Sequence, residues 1–209
     1  MRRWLQYGGF AAGVVLIVFG VVAIAMGVNG RSTVRDNLRQ EQIVGSPDMT
    51  PAAIKAEAAK AGLTGISLPT CSVAGVTVRT GAEARCFASY MRIHALEASG
   101  GQTYSQMGRY ASADGKGTND VAKATKGSAG QPLSNPGRDV WISETALSTA
   151  LNVSYMADQL ALFGVVVGIA LLLSGIGFIV LAAYGMLRIA AVVVKPVTPT
   201  ATSSTPVTA

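Results

Sequence analysis

Cys71, Cys86 and His94 offer the most chemistry in this chain, and they are its whole supply of thiol and imidazole. In an oxidising compartment the two thiols read as a Cys71–Cys86 disulfide, with free thiols and metal ligands as the alternatives. A closed zinc site takes four protein ligands, so two cysteines and one histidine fall short. No metal ligand and no cofactor is assigned. His94 projects onto the packing face of a helix, one turn from Tyr90 and from Ala98, which makes it a structural histidine before a catalytic base. No serine, cysteine or aspartate is spaced to complete a triad with it. Glu83 and Glu97 are the carboxylates an enzyme would recruit beside His94, but they show no paired-carboxylate spacing.

Two motif-like stretches fail on inspection. Gly115-Lys116-Gly117-Thr118 is not a phosphate loop, because Tyr110 stands where its first glycine is needed and Gly117 follows the lysine instead of Ser or Thr. Asp114 to Asp120 is not a calcium loop, because Lys116 and Thr118 occupy ligand positions.

The elements around these residues follow from caps and periodicity. Thr50-Pro51 opens a short helix of good helix formers that Gly62 stops. In Gly65 to Thr80, Ile66/Leu68 and Val76/Val78 alternate with polar residues, predicting two short strands. Ala82 to Ser99 predicts the main packing helix, ended by Gly100-Gly101, with Cys86, Phe87, Tyr90, Met91, Ile93, His94 and Ala98 on one arc. Ser112 to Gly130 reads as a mobile loop, and a helix resumes around Asp139 after the Asn135-Pro136-Gly137 turn.

Two apolar segments bracket all of this. Ala161 to Leu187 carries no charge, and as a helix runs about 40 Å, enough to cross a ~30 Å hydrocarbon core with tilt. Gly8 to Val28 is a second uncharged run. It reads as an uncleaved signal anchor, against a signal peptide cut after Ala23-Ile24-Ala25. Half of all residues are hydrophobic and only 13% charged, which is membrane usage. The formal charge of +6 does not mark a nucleic-acid binder: all eleven acids and thirteen of the seventeen bases lie between Arg31 and Asp158. The other four, Arg2, Arg3, Arg188 and Lys195, flank the apolar runs and place both termini in the cytoplasm.

The resulting division is a cytoplasmic N-terminus (1–7), a transmembrane helix (8–28), an extracytoplasmic domain (29–160), a second transmembrane helix (161–187) and a disordered Pro/Ser/Thr-rich cytoplasmic tail (188–209). The fold class is a mainly α membrane protein. Two antiparallel transmembrane helices extend outward as a helical stem carrying a small α+β insert.

The two segments share a pattern. Gly9, Gly13, Gly20 and Gly27 repeat at the same offsets as Gly164, Gly168, Gly175 and Ala182. At 100° per residue each set falls within about 40°, a ridge of small residues along which helix backbones pack in lipid. Chance is the competing reading, since glycine is frequent in membrane helices. Neither run holds Asp, Glu, Lys, Arg, His, Asn or Gln, which argues against a pump or carrier.

The stretch MRIHALEASGGQTYSQMGRYAS, Met91 to Ser112, resembles a group of uncharacterised actinobacterial two-pass membrane proteins with a HALEA-TGG-(K/R)TY-like segment. The likeness covers the two-span architecture and about twenty residues. It implies a bacterial cell-membrane location and no established activity. Some of the group carry an automatic label of aromatic ring-opening dioxygenase, but a non-haem iron site takes two histidines and one carboxylate, and this chain has one histidine. The expected function is a non-catalytic accessory or scaffolding protein of the lipid bilayer that binds a membrane or envelope protein through its extracytoplasmic domain. An extracytoplasmic enzyme using Glu83, Glu97 and His94, or a homo-oligomeric assembly, are the alternatives.

Overall fold

The structure, a computed structural model, describes residues 2–193, with only the backbone described at 2, 3, 5 and 186–193. Lys195 and most of the expected tail therefore lie outside the described residues. Among the described residues four helices are formed: α1 (Arg2–Gln40), α2 (Pro51–Lys60), α3 (Gly81–Ala98) and α4 (Pro136–Val193). Both α1 and α4 are long and apolar enough to cross a membrane.

The expected strands are absent. Among the described residues the backbone pairs only as isolated bridges, Val44 with Thr77 and Gly45 with Ala74 among them. Gly75 adopts φ +67° between the two segments, which breaks the extended path a strand needs. Val78 is fully buried while Val76 is exposed, so the two do not share a face as the alternation predicts. The α+β insert is thus corrected to helices joined by bridged loops.

The described chain divides into two compact units, residues 2–25 with 165–193, and residues 26–164. In the first, α1 and α4 run antiparallel through their glycines. A Cβ added at Gly20 would lie 2.7 Å from the Gly168 carbonyl oxygen, and one at Gly168 would lie 2.7 Å from that of Gly20. Gly13 and Gly175 meet in the same way, at 2.8 and 2.7 Å, and Gly9 faces Ala182 at 3.7 Å. The large side chains turn outward: Phe19 is 63% and Leu181 71% exposed. With backbones this close, packing rather than hydrogen bonding by side chains holds the pair together.

In the second unit α3 is the centre, contacted from three directions. Met49, Ile54, Ala58 and Val73 pack on its Cys86, Tyr90 and Ile93. Leu38 of α1, Leu151 of α4 and Val78 pack on Ala84 and Ala88. Met107 and Trp141 close over Ala95 and Leu96. The expected single packing arc is therefore too narrow, because alanines on the other faces let α1 and α4 approach. Gly27 is buried and Gly164 half-buried within this unit. Arg31 reaches Asp158 at 3.0 Å, joining α1 to α4 by an ion pair.

Helix ends follow their caps. Thr80 accepts from the Glu83 amide, while the Glu83 carboxylate accepts from the amides of Arg79 and Thr80, a reciprocal capping box. The Asn135 side chain accepts from the Gly137 amide, so α4 begins at Pro136, a turn earlier than expected. The stretch expected as a mobile loop is stitched by backbone bonds: Tyr110 and Thr118 exchange both of theirs, Thr125 donates to Ala111, and Leu133 donates to Thr125.

Candidate functional site

Local turn chemistry builds one cluster of functional groups around the single histidine. The Ser46–Met49 turn is closed by Met49 N–H donating to the Ser46 carbonyl, and the Ser46 hydroxyl donates to Asp48 Oδ1. Thr50 then caps α2, its hydroxyl accepting from the Ala53 amide at 3.2 Å. Ile54 and Ala58 bury the face of α2 that meets α3, and Glu57 lies at the edge of that face. His94 projects from α3 one residue after buried Ile93.

The turn is fixed to the segment that follows α2. Gly45 lies so close to Val73 that an added Cβ would stand 1.8 Å from the Val73 carbonyl oxygen, so only glycine fits. Val73 N–H and the Ser72 hydroxyl both donate to the Met49 carbonyl. That segment is in turn joined to α3. Cys71 and Cys86 form a disulfide with Cα atoms 6.1 Å apart, and the Tyr90 hydroxyl donates to the Cys71 carbonyl at 2.6 Å. One staple therefore holds both the Asp48 turn and the helix that bears His94.

At the meeting point, His94 Nε2 lies 3.3 Å from Asp48 Oδ2 and 3.5 Å from Glu57 Oε2. The three ligand atoms all lie within 4.8 Å of one another. His94 Nε2 is buried yet makes no hydrogen bond, so neither oxygen lies along its bonding direction. The Ser46 hydroxyl, more than the nearby imidazole, holds the Asp48 carboxyl below the usual carboxylate range, and partial burial opposes it. Two carboxylates and a ring nitrogen converging in this way can clamp an imidazolium or hold a metal ion.

The other sequence candidates lie apart from this cluster. Glu83 is occupied as the cap of α3, and Glu97 is exposed near its far end. A cleft of about 620 Å³ lies between the end of α3 and the start of α4, lined by Ser99, Gln102, Met107, Asp114, Lys116 and Asn135. Several of these are already engaged: Ser99 and Gln102 accept from the Trp141 indole N–H, and Asn135 donates to the Gly108 carbonyl. Sequence reasoning found His94 but not Asp48 or Glu57. They come from a turn and a separate helix, and no motif links them to α3.

A different surface is notable for what it exposes. In residues 136–160, α4 turns Trp141, Glu144, Leu151 and Asp158 inward. Its opposite face carries Ile142, Ala146, Thr149, Val153, Met156 and Leu160, spaced alternately four and three residues apart, all exposed. Comparison with protein-family models, with curated proteins and with solved structures gives no match.

Proposed function

We propose that this chain is a non-catalytic accessory or scaffolding membrane protein, acting through protein contacts that its 29–160 region makes outside the cytoplasm. Its two apolar helices anchor it, and the basic residues flanking them set both termini inside. This orientation also gives Cys71 and Cys86 an oxidising surrounding.

The observation that carries the reading is the apolar stripe on α4. A helix packed on one side and solvated on the other presents polar residues outward. Here Ile142, Val153, Met156 and Leu160 stand between 51% and 68% exposed at the four-three spacing that seats one helix against another. Lipid does not explain it all: Ile142 lies about 28 Å along the helix from Ala161, where the apolar run begins. An exposed, mostly apolar stripe of this kind marks a contact surface. The partner is a helix with a matching stripe, in an envelope protein or in a second copy of the chain.

Purification from the native host in mild detergent, followed by native mass measurement, tests the reading. The wild-type protein should carry a partner or a second copy, and Ile142→Glu with Val153→Glu should release it without changing helix content. A lone monomer, or a turnover activity abolished by alanine at His94, Glu83 or Glu97, would overturn the proposal.

A further inference from the structure

We propose that Asp48, Glu57 and His94 bind one divalent transition-metal ion of the zinc class, which clips the Ser46–Met49 turn and α2 to α3. The site is independent of the contact surface on α4.

Both nitrogen–oxygen spacings fit the ion. With metal–ligand bonds of about 2.0–2.1 Å, neighbouring ligands of a tetrahedral centre stand about 3.4 Å apart. Nε2 stands 3.3 and 3.5 Å from its two oxygens. A simple ion-pair clamp would aim the imidazole N–H at one of those oxygens, but Nε2 is buried and forms no hydrogen bond. An ion held by this nitrogen and by both carboxylates would supply the partner that Nε2 lacks.

Charge points the same way. Among the described residues no Lys or Arg pairs with Asp48 or Glu57, so two carboxylates face each other across a single ring nitrogen. A doubly charged ion neutralises both. The Ser46 hydroxyl occupies Oδ1 of Asp48 and leaves Oδ2 for the metal, the outer-shell arrangement that orients a ligating carboxylate. Both cysteines are consumed in the disulfide, so the donor set is one nitrogen and two oxygens. Such a set suits Zn²⁺, Co²⁺ or Mn²⁺ over Cu⁺, with water completing the coordination.

The test uses the full chain in mild detergent, purified without a histidine tag and stripped by chelator. Addition of Co²⁺ should give a visible d–d spectrum that saturates at one ion per chain and is displaced by Zn²⁺. Zinc should raise the melting temperature, and Glu57→Gln and Asp48→Asn should each weaken Co²⁺ binding at least about tenfold with unchanged helix content. Because His94 is the only histidine, its ring NMR signals provide a readout that needs no variant: they should shift on zinc addition. Unshifted ring signals, no saturable Co²⁺ spectrum, or wild-type affinity in Glu57→Gln would each overturn the proposal.

Discussion

Replacing Gly20 by alanine sets two opposed effects against each other, and the structure decides between them. Alanine is favoured over glycine in a helix by about 1 kcal/mol. The new methyl would stand 2.7 Å from the Gly168 carbonyl oxygen and 2.8 Å from the Leu172 nitrogen. Ordinary carbon–oxygen contact needs roughly 0.7 Å more, and both obstacles are backbone, which cannot swing aside. The helices must part locally, and a gap of 0.5–1 Å forfeits about a quarter to a half of each dispersion contact along the seam. Overpacking of this kind costs about 1–3 kcal/mol, so the net effect is destabilising. Gly177 is the control, since an added Cβ there meets nothing within 4 Å. Thermal unfolding in one mild detergent, followed by far-UV circular dichroism, should place Gly20→Ala below wild type by about 2–4 °C for each kcal/mol lost. Gly177→Ala should match or exceed wild type. Equal melting temperatures for the two variants, or a stabilised Gly20→Ala, would refute the reasoning.

Removing the disulfide with Cys71→Ala and Cys86→Ala should cost about 3 kcal/mol, since the bond closes a loop of 15 residues in sequence separation. Mass measurement of the unreduced wild-type protein should find no free thiol, and two would sink the assignment. For topology, a cysteine engineered between Ser112 and Gly130 should react with an impermeant reagent in intact cells, whereas one near Thr200 should not. The reverse pattern, or a mature chain beginning at Met26, would invert the proposed orientation.

What could be read from the sequence was what a single element states about itself. Uncharged runs gave the two long helices, and Thr50-Pro51 gave the start of α2. The glycine offsets were legible because helical periodicity converts spacing directly into a shared face. The strands were misread because alternation over four residues is weak. Gly45 against Val73 and Gly75 at positive φ impose a path that Val76 and Val78 do not reveal. The bonded turns between Ser112 and Gly130 were missed because their order comes from partners beyond the stretch, Tyr110, Ala111 and Leu133. The His94 cluster was hidden for a related reason: its members meet only after the disulfide and Gly45 have folded the turn back onto α3.

The three sets of contacts around α3 also impose an order in time. Met49, Ile54, Ala58, Val73, Cys86, Tyr90 and Ile93 all lie within one short stretch of chain, so this part can close as soon as it has been made and oxidised. The other two sets cannot. Leu38 and Val78 cover Ala84 and Ala88 only in part until Leu151 arrives, and Met107 covers Ala95 and Leu96 only in part until Trp141 does, both from α4. Until α4 is synthesised, these two faces of α3 are only partly covered and the glycine seam of α1 has no mate. By sequence span the contacts fall into two groups, a disulfide-closed kernel complete without α4 and a remainder that needs the last helix. A nascent chain interrupted between them leaves apolar surface uncovered, the condition in which partly folded chains aggregate.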